Sequence, residues 1–188
     1  MNTLLLAGVT VNILSSGIIL FMRYLVTPNL LVSIDRWLMG GIDVIGYNGL
    51  ISFLPFFIPA AAVLLPLSRE LNALVLGEEM ALGYGVDVKS VHLRAFAGGG
   101  LLTAAVVSLA GPIGFVGLVV PHIVRRISGY DHRIVLPASF LAGGAFLVLC
   151  DTLARTIISP TEMPVGVITA IIGAPVFIRL LFKSPLLK

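Results

Sequence analysis

Residues 110–127 read AGPIGFVGLVVPHIVRRI. A Gly-Pro break opens the stretch, Gly111, Gly114 and Gly117 recur at every third position, Pro121 interrupts it and Arg125-Arg126 close it. In a soluble helix interior, Gly costs about 1 and Pro about 3 kcal/mol. In a bilayer, neighbouring helices satisfy the backbone groups such residues free, and small side chains let backbones approach. The stretch therefore predicts an all-α polytopic membrane protein with tightly packed, broken helices, in which Gly114, Gly117 and Pro121 serve packing and kinking.

Composition points the same way. The 188 residues are 58% hydrophobic and 11% charged, and mean hydropathy is +1.09. Soluble domains carry about 25% charged residues. The net charge of +3 comes from residues flanking apolar runs, with no basic stripe and no interleaved aromatics, which excludes a nucleic-acid partner. Cys150 stands alone in an apolar run and reads as a small buried apolar residue. His92, His122 and His132 have no second ligand at metal spacing, so no metal site is read. Gly98-Gly99-Gly100 lacks the Lys-Ser/Thr that follows in a phosphate loop, so the chain itself holds no ATP or other cofactor. Met1-Asn2-Thr3 shows neither a basic n-region nor a cleavage site, and the first helix is expected to be retained.

A bilayer-spanning helix needs about 20 mostly apolar residues. Six candidates follow: 4–26, 49–67, 91–109, 113–127, 134–158 and 164–182, the last starting on Pro164. Thr27-Pro28-Asn29 ends the first. Residues 30–48, with Asp35, Arg36, Trp37 and Asp43, suit an interfacial helix or loop. With the first span starting in the cytoplasm, Arg69, Lys89, Arg94, Arg125, Arg126, Arg133, Arg179, Lys183 and Lys188 fall inside, and only Arg23, Arg36 and Arg155 outside. That distribution obeys the positive-inside rule and puts both ends of the chain in the cytoplasm. Small-residue stripes at helical spacing predict close contacts: Gly100, Ala104 and Ser108 in the third span, Ala138, Ser139, Ala142 and Gly143 in the fifth, and Gly166, Ala170 and Ala174 in the sixth, where Gly173 and Pro175 add packing and a kink.

Residues 69–89 are too polar to span. Leu71, Leu74 and Val75 form one apolar helical face, Gly77 interrupts, Glu78 and Glu79 open a second short helix at its positive end, and Gly83 and Gly85 stop it. Two short helices hinged at glycine, on the basic side of the membrane, read either as a docking element for a cytoplasmic partner or as a loop on the headgroups. Asp151 and Arg155 have ion-pair spacing on one helix and are either structural or outward-facing, with Glu162 in the same outer loop. In the first span, Thr10, Ser15 and Ser16 either bond back to their own helix or line a polar path, and Asn12 needs a partner if buried.

These residues accumulate into a resemblance. LLLAGV (4–9), LVLGEEMA (74–81), AGPIGFVGLVVPHIVR (110–125), DHRIVLP (131–137), DTLAR (151–155) and EMPVGVITAIIGAPVFIRLL (162–181) run in order over nearly the whole chain. The chain resembles the permease subunits of binding-protein-dependent ATP-binding-cassette importers for iron–siderophore, haem and vitamin B12. The resemblance implies one transmembrane permease domain over 1–188, matching the fifth to tenth of the family's ten helices and lacking the first four. It implies a multi-pass protein of the inner (plasma) membrane that is not itself an enzyme. ATP and Mg would be bound by a separate cytoplasmic cassette ATPase. An extracytoplasmic substrate-binding protein, a second permease copy and the lipid bilayer complete the expected partners, with an iron chelate of siderophore type as the expected cargo and cobalamin, haem or an oxyanion as the alternatives.

By matching position, residues 70–88 would couple to the ATPase through Leu74, Leu76, Gly77, Glu78, Glu79, Ala81, Tyr84 and Gly85. Tyr84 stands where leucine is commoner, and Gly83 where a polar helix former is usual. Arg155, with Asp151, would dock the binding protein. Thr3, Thr10, Asn12, Ser15 and Ser16 would lie on the helix that lines the path. A secondary transporter or channel is the alternative, and it would call for intramembrane acids that the span centres nearly lack.

Overall fold

The computed structural model describes residues 2–42, 46–157 and 163–183. Asp43, Ile158, Glu162 and Lys188, and the side chains of Thr3 and Lys183, lie outside that description. Among the described residues there are nine helices and no strand. They are α1 (Asn2–Leu25), α2 (Pro28–Leu38), α3 (Asn48–Leu64), α4 (Ser68–Val75), α5 (Glu78–Gly83), α6 (Val88–Ala110), α7 (Val116–Ser128), α8 (His132–Ile157) and α9 (Val165–Lys183). The chain divides into two compact units, Met1–Leu38 and Met39–Lys188. Among the described residues, three helices are each long and apolar enough to cross a membrane: α1, α6 and α8. A fourth crossing is available if α3 and α4, bent by 48°, act as one broken span.

In the first unit, α1 ends where Thr27-Pro28 forbids continuation. Pro28 takes the first position of α2, where a missing N–H costs nothing, and the Thr27 carbonyl accepts from Leu30 and Leu31 at 3.0 and 3.1 Å. The segment read as interfacial from residue 30 thus starts two residues earlier, as a helix. Arg23 reaches Asp35 at 3.1 Å and ties the two helices together.

In the second unit, α3 packs along α6, α7 along α8, and α8 along α9. The buried face of α6 is Val91, Gly98 and Ala105. It is not the predicted stripe: Gly100, Ala104 and Ser108 are exposed in this chain. The true face repeats every seventh residue, and Gly98 lies under Leu64 of α3, whose Cγ would stand 2.9 Å from an added Cβ. The α8 stripe does turn inward, with Gly143 buried near Val116. Cys150 is buried in a cluster with Ala154, Val165 and Ile168.

The stretch at 110–127 departs most from a continuous helix. Residues 111–115 are not helical, and α7 starts at Val116 rather than at Ile113. Pro112 supplies no N–H and drives Gly111 off helical geometry (φ +69°), and Phe115 sits in the left-handed region at φ +67°. That conformation is unusual for a bulky residue. It seats the ring against Gly173 of α9, beside Phe177 at 6.4 Å edge-on. The 13 residues of α7 extend about 20 Å, short of the roughly 30 Å hydrocarbon core.

A backbone strap, residues 39–41, holds the start of this break. The Gly41 N–H donates to the Ala110 carbonyl at 2.9 Å, and the Gly166 N–H donates to the Gly40 carbonyl at 3.1 Å. Gly40, at φ +73°, has the Pro112 carbonyl oxygen 2.6 Å from where a Cβ would sit, and a Cβ on Gly166 would fall on the Met39 carbonyl. Two helix ends and the irregular segment are thereby stitched through main-chain atoms.

Candidate functional site

Helix α3 stops at Leu64 because Pro66 cannot donate and its ring would crowd the preceding turn. A tight turn with Leu67 and Ser68 buried leads into α4. A groove of about 430 Å³ lies at the bend, lined by Leu65, Pro66, Ser68, Arg69 and Arg133.

Helix α4 ends on Gly77, whose N–H donates to the Leu74 carbonyl at 3.0 Å. At φ +107° and ψ 151° Gly77 occupies backbone space open essentially to glycine alone. The same residue starts α5, its carbonyl accepting from Ala81 at 3.0 Å, with Glu78 and Glu79 in the first turn at the positive helix end. The far end closes as a Schellman motif: the Val86 N–H donates to Ala81 at 3.0 Å and the Gly85 N–H to Leu82 at 2.9 Å, with Gly85 at φ +78°. Asp87 then caps α6, its carboxylate accepting from the Ser90 N–H at 3.1 Å.

The hairpin faces two ways. Ala81 is fully buried, and Leu71 and Leu74 are half-buried against the bundle. Val75, predicted on that face, is exposed with Leu76, Met80, Leu82 and Tyr84. An apolar tip thus stands clear of the chain beside the exposed carboxylates of Glu78 and Glu79.

Side chains that sequence reading did not single out hold α4 in place. Asn72 Nδ2 donates to Asp131 Oδ1 at 2.6 Å. Its Oδ1 accepts from the His132 backbone N–H at 2.8 Å and lies 2.8 Å from His132 Nδ1. An amide oxygen only accepts, so that ring nitrogen carries a proton. Asp131 also caps α8, accepting from the Arg133 N–H at 2.9 Å. Its carboxyl is held below the usual carboxylate range, first by the Asn72 amide and then by the Arg133 N–H. Arg94 of α6 pairs with Glu70 at 2.9 Å. The signal for these ties was present only as the motif DHRIVLP, with nothing in the sequence to pair it with Asn72.

At the opposite end of the second unit, Arg155 Nε donates to Asp151 Oδ2 at 2.9 Å, as their spacing predicts. On α1, Ser16 Oγ donates to Asn12 Oδ1 at 3.4 Å, and Ser15 shares that side of the helix. Thr10 lies about half a turn away and donates to the Leu6 carbonyl at 2.8 Å, so it does not join them. Gly166 and Gly173 are pressed by Met39 and Phe115, with Ala170 half-buried between them on α9. Gly114 and Gly117 have no neighbour within 4 Å of an added Cβ, and Pro175 is exposed. Pro121 lies inside α7, and Val119, Val120 and Val124 make that helix's buried side.

A family model described as the FecCD transport family matches residues 1–183. The uncharacterized ABC transporter permease protein YvrB of Bacillus subtilis is 44% identical over 97% of this chain and 52% of its own length. The cobalamin import system permease protein BtuC of Halobacterium salinarum is 47% identical over 95% of this chain and 48% of its own. The hemin transport system permease protein HmuU of Yersinia pestis is 38% identical over 96% and 54%. A solved structure described as an inward-facing conformation of an ABC transporter of the metal-chelate type superposes with a TM-score of 0.84 at 36% identity, over 95% of this chain and 58% of that one. The chain spans about half the length of the curated relatives it matches.

Proposed function

The chain belongs to the FecCD transport family, and from that premise we propose that it is permease material of an ATP-binding-cassette importer, driven through the α4–α5 hairpin by a separate ATPase. The observation that carries this reading is the hairpin itself. A glycine-only hinge presents an apolar, acidic-edged tip, and buried Ala81 with the Asn72 contacts ties that tip to the bundle. A loop lying on headgroups would need neither the hinge nor the ties. Arg69, Lys89, Arg94, Arg125, Arg126 and Arg133 all stand on helix ends at this side of the second unit, which supports a cytosolic location. The distribution of Lys and Arg along the sequence supports placing both chain ends in the cytosol as well.

The test is labelling of Tyr84→Cys by a membrane-impermeant maleimide. Reaction is expected only after the membrane is opened, and reaction from outside intact cells would overturn the orientation and the coupling role together.

What two of the relatives and the solved structure are named for supports a cargo class. One is named for cobalamin, one for hemin and one structure for metal chelates, so the common chemistry is a metal held in an organic chelate. Within that class a siderophore-type iron chelate is the proposed cargo, delivered by an extracytoplasmic binding protein, with Asn12, Ser15 and Ser16 offering the polar side of α1 to the path. Uptake of a radiolabelled ferric siderophore, unaffected by excess cobalamin or haem, is the expected result. Uptake of either competitor in its place would reassign the cargo.

Arg155, paired with Asp151 at the other end, is proposed to meet an acidic residue of the binding protein. Arg155→Glu is expected to weaken binding-protein affinity about tenfold or more at low salt, and the loss should shrink as salt rises, since screening acts over about 10 Å at 0.1 M. Equal affinity of both proteins at low salt would refute the contact.

A further inference from the structure

We infer that Asn72 is a positioning residue: it clamps the coupling helix α4 to the α7–α8 corner, so that force applied at the hairpin moves α8 rather than being lost in the bend after α3. The inference rests on the coupling role proposed above and says by which side chain the motion leaves the hairpin.

Three features lead to it. First, the covalent route from hairpin to bundle is compliant. Helix α3 ends before Pro66, α4 leaves at 48°, and a groove lies at the bend. Second, Asn72 uses both the nitrogen and the oxygen of its amide on the neighbouring corner. It donates to the Asp131 carboxylate and accepts from both the main chain and the ring of His132, and those partners lie 59 and 60 residues away in sequence. A hydrogen bond to a charged group is worth about twice a neutral one. Both the Asn72–Asp131 bond and the Arg94–Glu70 ion pair lie at the surface; the ion pair runs to α6, contributes little by itself, and does not reach the α7–α8 corner. Third, the receiving end is the start of the 26-residue α8. Asp131 is the cap of that helix, so a pull on Asp131 is a pull on the helix axis.

The roles of donor and acceptor are fixed by chemistry, which allows a swap. Asn72→Asp puts two carboxylates in contact, and Asp131 is ionised at neutral pH. Adding Asp131→Asn restores one amide and one carboxylate with their direction reversed. The carboxylate introduced at position 72 would still accept from His132, and asparagine is as good a helix cap as aspartate.

The measurement is cargo uptake and ATP turnover by the transporter assembled with its ATPase, at matched membrane abundance, with Glu78→Arg as the reference for coupling. Asn72→Asp is expected to cut uptake about tenfold while ATP turnover persists, and the double variant to recover to within about twofold of wild type. Should Asn72→Asp not accumulate, Asn72→Ala is read instead, since water can replace the amide at the exposed Asp131. Wild-type cargo-to-ATP ratios in the Asn72 variants while Glu78→Arg is impaired would overturn the clamp and leave the coupling role standing. A double variant no better than Asn72→Asp would also overturn it. If Glu78→Arg too behaves as wild type, the coupling role itself has failed.

Discussion

Gly166→Ala is expected to be strongly destabilising. The new carbon would fall on the carbonyl of Met39, with the Gly40 Cα within 3.5 Å. Both obstacles are main chain, and both are already committed: the Gly166 N–H donates to Gly40, and Gly41 donates to Ala110. Relief therefore requires α9 to retreat from the strap, breaking the hydrogen bond as well as opening the contact. Overpacking costs about 1–3 kcal/mol and a lost intramolecular hydrogen bond about 1 more. The expected loss is roughly 2–4 kcal/mol, seen as a fall of roughly 5–15 °C in the midpoint of thermal unfolding in detergent. Gly98→Ala is the control. Its obstacle is the Leu64 side chain, which can turn aside, so its cost should be well under half as large. Equal shifts for the two variants would mean that the strap is not a rigid support.

Gly166 also shows what a sequence can and cannot disclose. Its small size was readable, because a glycine among Val165, Ala170 and Gly173 on an apolar helix signals a close approach. What approaches was not readable. The strap contacts it with backbone atoms, and backbone carries no residue-specific mark. The same limit hid the Gly41–Ala110 bond. Glycine punctuation, by contrast, was legible in the α4–α5 hairpin: Gly77 and Gly85 stand where the chain must reverse or cap, and local sterics dictate those positions, whereas Pro66, expected inside the span 49–67, follows the end of α3 at Leu64. The face of α6 was misread because small residues every fourth position look like a packing stripe, whereas its actual neighbour α3 presents Leu64 to Gly98. The start of α7 was misread because Phe115 has no local reason to adopt φ +67°. Its ring is drawn there by Gly173, which lies far along the chain. Asn72 failed for the same cause, since its partners become neighbours only when α4 and α8 pack. Each miss is thus a long-range contact that overrides a local preference, and each success is a local rule with no tertiary competitor.

Gly77→Pro should produce the largest functional effect. Proline fixes φ near −65°, whereas Gly77 stands at +107°, so α5 cannot leave α4 in its present direction. The substitution also deletes the N–H that donates to Leu74 at 3.0 Å, the last bond closing α4. Neither change touches the buried faces of α3, α6 or α8, so membrane insertion and abundance should be retained. What changes is where Leu76, Met80 and Tyr84 point, and with them the surface offered to the ATPase. Cargo uptake is therefore expected to fall more than tenfold while nucleotide hydrolysis by the associated ATPase continues, the signature of a motor no longer coupled to its load. Glu78→Arg should give the same phenotype more mildly. It reverses a charge at the positive end of α5, which costs a two-turn helix on the order of 1 kcal/mol, and it alters the acidic edge of the tip without re-aiming the hinge. The ordering matters as much as the sizes. If Glu78→Arg were the more damaging, charge at the tip rather than the direction of α5 would govern coupling. If neither variant altered the ratio of cargo moved to ATP consumed, the hairpin would not be the point at which the force enters.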